Sequence, residues 1–154
     1  MSRNKLISVF LAAVLILCST VGVFAASPYK DVTKKSVGKN AYTAVTYIKA
    51  HHGYNHVIKG SKFKPNKKMT RREFLMVLGN LYGYSKVPVS LNDIRYANSA
   101  VTETYACKKM VGLAKKGFGM SITWDGGKKK LSRALASQYI KSLIDFDEAF
   151  VPKK

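Results

Sequence analysis

The sequence predicts a mainly α protein in which two helix-loop-helix repeats pack together behind an N-terminal signal peptide. Three observations carry this reading. An internal repeat recurs at a period of 62 residues, both copies place apolar residues at helical spacing, and strand patterning is weak throughout.

The repeat has two anchors. Tyr29-Lys30-Asp31-Val32 returns as Leu91-Asn92-Asp93-Ile94, and Met69-Thr70-Arg71 returns as Leu131-Ser132-Arg133. Behind the second anchor Leu78 maps to Ile140, Leu81 to Leu143, Tyr82 to Ile144 and Tyr84 to Phe146, so apolar class and spacing are kept together. Between the anchors Gly53 matches Gly117 at 64, which requires small compensating shifts. The organisation that follows is a signal peptide at 1–25, a first repeat at 26–84, a connector at 85–97 and a second, degenerate repeat at 98–154 whose opening motif lies at 91–94.

The N-terminal stretch has the tripartite order of an export signal. Arg3 and Lys5 form a positive start, residues 6–17 carry no charge and only one polar residue, Ser8, and Val23-Phe24-Ala25 ends in the small residue that signal peptidase requires. The competing reading is an uncleaved anchor. Cys18, Ser19, Thr20 and Gly22 interrupt that run, and spanning needs about 20 strongly apolar residues. A lipid-attachment site is disfavoured by Leu17 before Cys18.

Cleavage after Ala25 leaves about 129 residues, enough for one compact domain or two small units sharing a core. The 27 Lys and Arg, less the two lost with the signal, leave 25 against 8 Asp and Glu, a net charge near +17. Such a field draws in polyanions. Nothing after residue 26 is apolar for long enough to cross a bilayer, so no membrane partner is expected once the signal is cleaved. Cys107 remains as a single thiol after Cys18 is lost, which excludes an intramolecular disulfide; it reads as a small buried hydrophobe.

In the first copy Ala41, Ala44, Val45 and Ile48 form one helical stripe, and Gly53 is expected to end it in a left-handed conformation. Thr70-Arg71-Arg72-Glu73 has the form of a capping box and opens a helix whose buried face is Phe74, Val77, Leu78 and Leu81, ended by Gly83. The second copy is expected to start a helix near Asn98 or Ser99, to carry Val101, Tyr105, Val111 and Ala114 on it, and to stop at Gly117. Its loop holds the tight-turn sequence Trp124-Asp125-Gly126-Gly127, preceded by a short extended candidate at 121–124. Its last helix opens at Ser132, with Leu135 where a capping Glu would stand.

These residues resemble the S-layer homology domain of bacterial cell-surface proteins. The first copy has the family's aromatic-x-Asp-Val at 29–32, then Ala44 and Val45, Gly53, Val57-Ile58-Lys59-Gly60, Phe63-Lys64-Pro65-Asn66, and Thr-Arg-x-Glu at 70–73. The second keeps Asp93-Ile94, Gly117 and Ser132-Arg133 but lacks the Phe-x-Pro and the Glu. The family groups three such repeats around binding grooves; with two, either a groove is missing or a homo-oligomer or another repeat-bearing chain completes the set. The Trp that usually opens the family's first helix is also missing near residues 37–41.

The resemblance implies non-covalent, non-catalytic attachment to an acidic secondary cell-wall polysaccharide of the pyruvylated kind, and so retention of a secreted protein at the wall or cell surface. By that carry-over Arg71 and Arg133 meet the acid, Asp31 and Asp93 shape the groove, and Gly60 permits close backbone approach. A physical argument points the same way. A helix start presents unpaired N–H groups and a partial positive charge, and an Arg in the first turn opposes the dipole unless an anion is bound there. Thr70 and Ser132 would share those two sites, with Lys67 and Lys68 beside the first and 128–130 beside the second adding positive field.

Other readings were weighed against this one. His51, His52 and His56 have no carboxylate near them and poor spacing for a closed metal site, and no cofactor is indicated. The acidic residues are scattered; Asp145, Asp147 and Glu148 cluster in what reads as a solvated turn, so no enzyme activity is expected. The alternative of another class is a basic polyanion binder for nucleic acid or an anionic surface. Charge favours it, while the spread of Lys over both repeats and the absence of a nucleic-acid motif oppose it.

Overall fold

A computed structural model describes residues 29–150, the side chains of 147–150 excepted. The expected signal peptide lies outside the described residues. The chain is mainly helical, with α1 Lys34–Val37, α2 Lys39–Ala50, α3 Arg71–Tyr82, α4 Leu91–Arg95, α5 Glu103–Phe118 and α6 Arg133–Phe150. No strand forms among the described residues; the extended candidate at 121–124 is loop.

The helices are organised by their starts. Each of the helices α3, α5 and α6 follows an apolar residue and a hydroxyl residue: Met69-Thr70, Val101-Thr102 and Leu131-Ser132. All three apolar residues are fully buried, and their backbones close a ring. The Met69 N–H donates to the Leu131 carbonyl (3.1 Å), Leu131 to Val101 (2.8 Å), and Val101 back to Met69 (2.9 Å). Around the ring lie three isolated antiparallel bridges, Lys68 with Ser132, Thr70 with Ala100, and Thr102 with Lys130. The three-way closure is therefore made within one chain, and a second chain is not needed for it.

This arrangement corrects the expectation of a second-copy helix beginning near Asn98 or Ser99. α5 begins at Glu103, capped by Thr102, because residues 97–101 are committed to bonds with α3 and the ring. The buried face of α5 is also different from the expected one. It comprises Ala106, Cys107, Lys109, Met110, Leu113 and Ala114, with Val101 in the ring and Val111 only partly covered.

Two glycines act differently from expectation. Helix α2 ends at His51, with His52 at φ 60°, so it is His52 that takes the left-handed turn. Gly53 is instead a contact glycine, since a Cβ there would come within 2.5 Å of Ile48 Cγ2. Helix α5 runs past Gly117 to Phe118 and ends on Gly119 at φ 68°. Gly83 does end α3, as the sequence indicates. The acidic cluster Asp145, Asp147 and Glu148 lies within α6 rather than in a turn, and Asp145 pairs with Lys141 one turn earlier.

The core joins the two ends of the sequence. α2 lies along α6, and Tyr54 reaches across to share a hydrogen bond with Ser137 on α6 at 2.5 Å. Tyr54, Phe63 and Tyr29 form an aromatic cluster, with Phe63 5.2 Å from each of the other two rings. Cys107 is buried and free.

Gly126 tests the packing of the ring's outer edge. A Cβ at this position would sit 2.6–2.8 Å from the backbone of Glu103 and Thr104. Gly126→Ala should therefore destabilise the protein by ~1–3 kcal/mol, read as a lower urea midpoint with an unchanged slope.

Candidate functional site

The helix starts are the sites nominated by the sequence, and the structure first removes one argument for them. The first N–H of α3, α5 and α6 donates to Ser99, Lys129 and Lys67 carbonyls respectively (2.8–3.0 Å), and the second to Ala97, Gly127 and Pro65 (2.9–3.1 Å). The third is held by the cap, Thr70, Thr102 or Ser132 (3.2–3.3 Å). These donors are not free for an anion, because each helix start is plugged by the loop leading to the next one. Any anion recognition must come from side chains.

The first-turn side chains then separate into three fates. Arg133 and Arg71 each meet the third residue of the neighbouring helix. Arg133 meets Glu73: its Nη2 lies 2.7 Å from Glu73 Oε1, while Nη1 donates to the Phe63 carbonyl at 2.7 Å. Glu103 instead accepts from the Gly127 N–H of its own plug at 3.1 Å and hydrogen-bonds Tyr139 one turn further along α6, beyond the apolar Leu135. Arg71 meets Tyr105, with its guanidinium 4.5 Å from that ring and 5.5 Å from Tyr96.

Arg133 is corrected as a ligand residue by this geometry. It is 6% exposed, and its fork is consumed by an internal carboxylate and a carbonyl. Ser132 beside it does only capping work. Glu73 performs two tasks at once, accepting from the Thr70 N–H through Oε2 and from Arg133 through Oε1, with Lys67 3.5 Å from the same oxygen. Burial opposes its charge, but the hydrogen bonds from Arg133 and Thr70 and the nearby positive charges outweigh burial and lower its pKa.

Arg71 is the arginine that keeps an available fork. It is half-buried, and no carboxylate lies within ion-pair distance among the described residues; its Nε is buried without a hydrogen-bond partner there, as is that of Arg133, so the difference lies in the two Nη groups. Its aromatic floor is fixed from below. The Tyr105 hydroxyl donates to Asp93 Oδ1 at 2.7 Å, and Asp93 also takes the Ser90 N–H and hydroxyl and forms a buried ion pair with Lys109. Lys109 in turn donates to the Pro88 carbonyl at 2.7 Å. Burial and then the bond to Asp93 raise the Tyr105 pKa, so the ring stays a neutral phenol.

The remaining nominated residues shape loops. Asp31 accepts from the Phe63 and Lys64 N–H groups, both at 2.7 Å, and thereby holds the loop whose carbonyl receives Arg133. Asp93 does nothing comparable, having turned toward α5. Gly60 sits at φ 80° with open space around its Cβ position, so it serves the backbone turn and not close approach. Lys68 donates to the Lys130 carbonyl at 3.3 Å. Away from this region, His51 stacks on Tyr47 at 4.0 Å and its Nδ1 lies 2.9 Å from the Tyr47 carbonyl.

The site residues missed in the sequence are Tyr105 and Tyr96. The available signal was Val101-Thr102, an apolar-hydroxyl pair 32 residues after Met69-Thr70 and 30 before Leu131-Ser132. That half-step lies outside the 62-residue period of the repeat.

Comparison of the chain with family models, with curated proteins and with solved structures returns no match. Function is therefore read from the geometry of the chain itself.

The two arginines should separate in a stability experiment. Arg133→Ala leaves Glu73 without its main partner in a largely covered site and should cost ~3–5 kcal/mol, whereas Arg71→Ala removes a ring contact worth ~0.5–1 kcal/mol. Urea denaturation of both variants checks the contrast. Acid should act through the same carboxylates. Asp31, Glu73 and Asp93 have pKa values below their ordinary range, so their contribution is complete above the unfolded carboxylate pKa and is lost as pH falls through the lowered folded values. The urea midpoint should therefore fall steeply as the pH drops below the usual carboxylate range, and less steeply in Arg133→Ala.

Proposed function

We propose that this chain is an exported, non-catalytic binding protein that holds an acidic cell-wall polysaccharide through Arg71. The observation that carries the reading is the contrast between two arginines in equivalent positions. Where Arg133 has Glu73, Arg71 has the face of Tyr105, so its guanidinium is oriented and desolvated on one side yet has no internal acid among the described residues. A ligand carboxylate would complete a bidentate pair of the kind Arg133 makes internally. Tyr96 and Tyr105 would offer apolar faces to a sugar ring, and the positive charge of the chain, +19 with the signal included, would bring the polymer in.

The chain is a variant of the S-layer-homology arrangement in which two sequence repeats supply three helix starts, and one of the three carries the ligand arginine. In this reading the protein stays at the cell surface after export.

Binding of purified acidic wall polysaccharide to wild type and Arg71→Ala tests the proposal. The loss of one charged, bidentate contact of ~1.5–3 kcal/mol predicts a tenfold or greater fall in affinity at unchanged fold. The wild type should also retain much of its affinity as salt rises. A steep loss with salt, or equal binding by Arg71→Ala, would instead assign the chain to sequence-independent polyanion binding.

A further inference from the structure

The two copies of the opening motif have opposite fates. Tyr29 and Val32 are 2% and 0% exposed, packed with Phe63 of their own loop. Their counterparts Leu91 and Ile94 are 85% and 67% exposed. The reason is local. The second copy's loop has no equivalent of Phe63 to cover them, and Asp93 has been recruited by Ser90, Tyr105 and Lys109. That recruitment fixes residues 91–95 as a single helical turn with Leu91 and Ile94 on its outer side, and Lys109 pins the preceding strand of chain at Pro88.

The exposure is confined to this one segment. The large exposed apolar side chains among the described residues are Tyr84, Val89, Leu91, Ile94 and Tyr96, all within 84–96. Beside them lies a shallow, mainly apolar cleft of about 260 Å³ that includes Leu75, Met76 and Val87. The cations beside this face are Arg72, which lines the cleft, and Arg71 and Arg95, whose guanidinium groups each lie 5.5 Å from the Tyr96 ring; the one carboxylate in the segment, Asp93, is buried and already neutralised by Lys109.

We infer that this face is a peripheral docking surface for an anionic lipid bilayer. An exposed aliphatic pair, two tyrosines and an outer set of cations with no free acid match an interface in which hydrocarbon, headgroup region and phosphate follow one another. Charge chooses the occupant. A second copy would bring its own strong positive charge against the same cations, whereas an anionic membrane complements them. The contact is superficial, since among the described residues no helix is long and apolar enough to cross a membrane. It revises the expectation of no membrane partner, which rested on the lack of an apolar run long enough to span a bilayer and on the spread of Lys over both repeats. It shares Tyr96 with the wall-binding reading but rests on Leu91 and Ile94, whereas that reading rests on Arg71.

Sedimentation with vesicles of phosphatidylglycerol and phosphatidylcholine, against phosphatidylcholine alone, tests the inference in wild type and in Leu91→Ser/Ile94→Ser. This variant keeps every charge, so it isolates insertion from the general field. The expected result at ~0.15 M salt is binding to the anionic vesicles only, reduced about tenfold or more in the variant with unchanged circular dichroism. A Trp124→Phe/Leu91→Trp variant, which carries one Trp at the docking face, should show a blue-shifted emission on adding those vesicles. Equal binding by wild type and the Ser variant, an unshifted emission, or the absence of vesicle binding would overturn the inference. Self-association of the wild type that the Ser variant loses, without vesicle binding, would assign the face to a second copy and overturn it equally.

Discussion

Three backbone hydrogen bonds among Met69, Val101 and Leu131 set the geometry of everything around them. A buried amide must be paired, and in a mainly helical chain the residues just before a helix have no ladder to join. Here three such residues satisfy one another in a closed circuit, and the loops leading into it supply carbonyls to the first two N–H groups of each adjacent helix. The helices therefore leave the ring with their starts plugged and their first-turn side chains aimed at a neighbour. The same constraint that removes the backbone anion sites puts Arg71 on Tyr105 and Arg133 on Glu73.

One position, occupied twice by Arg, thus has two physical meanings. Arg133 is a buried cation with a buried acid, and such a pair is costly to break from either side. Arg71 is a cation on an aromatic floor that depends on a longer relay, from Pro88 through Lys109 and Asp93 to the Tyr105 hydroxyl. In the proposed function the first arginine builds the scaffold and the second meets the ligand. The relay also has an outward consequence, because the conformation that lets Asp93 reach Tyr105 turns Leu91 and Ile94 toward solvent.

Much of the fold was legible in the sequence because its signals are local. The stripe at Ala41, Ala44, Val45 and Ile48 is buried as its spacing requires, Thr70 and Glu73 form the reciprocal cap, and Gly83 ends its helix. What was not legible depends on contacts far apart in the chain. Asn98 and Ser99 are good cap residues, yet residues 97–101 form a turn and a bridge held by Arg71, Arg72 and Met69, so the helix waits for Thr102. The candidate site was legible in the same measure. Arg71 and Arg133 are indistinguishable by sequence position, and what distinguishes them is the identity of the third residue on a different helix, Tyr105 against Glu73. No local pattern carries that information.

Native-state hydrogen exchange of the Met69, Val101 and Leu131 amides tests the central role of the ring most directly. If the ring holds the three helix starts together, these amides should exchange only through global unfolding, at closely similar free energies and among the slowest in the protein. Fast exchange of any one of them through local opening, with the other two still protected, would contradict the account.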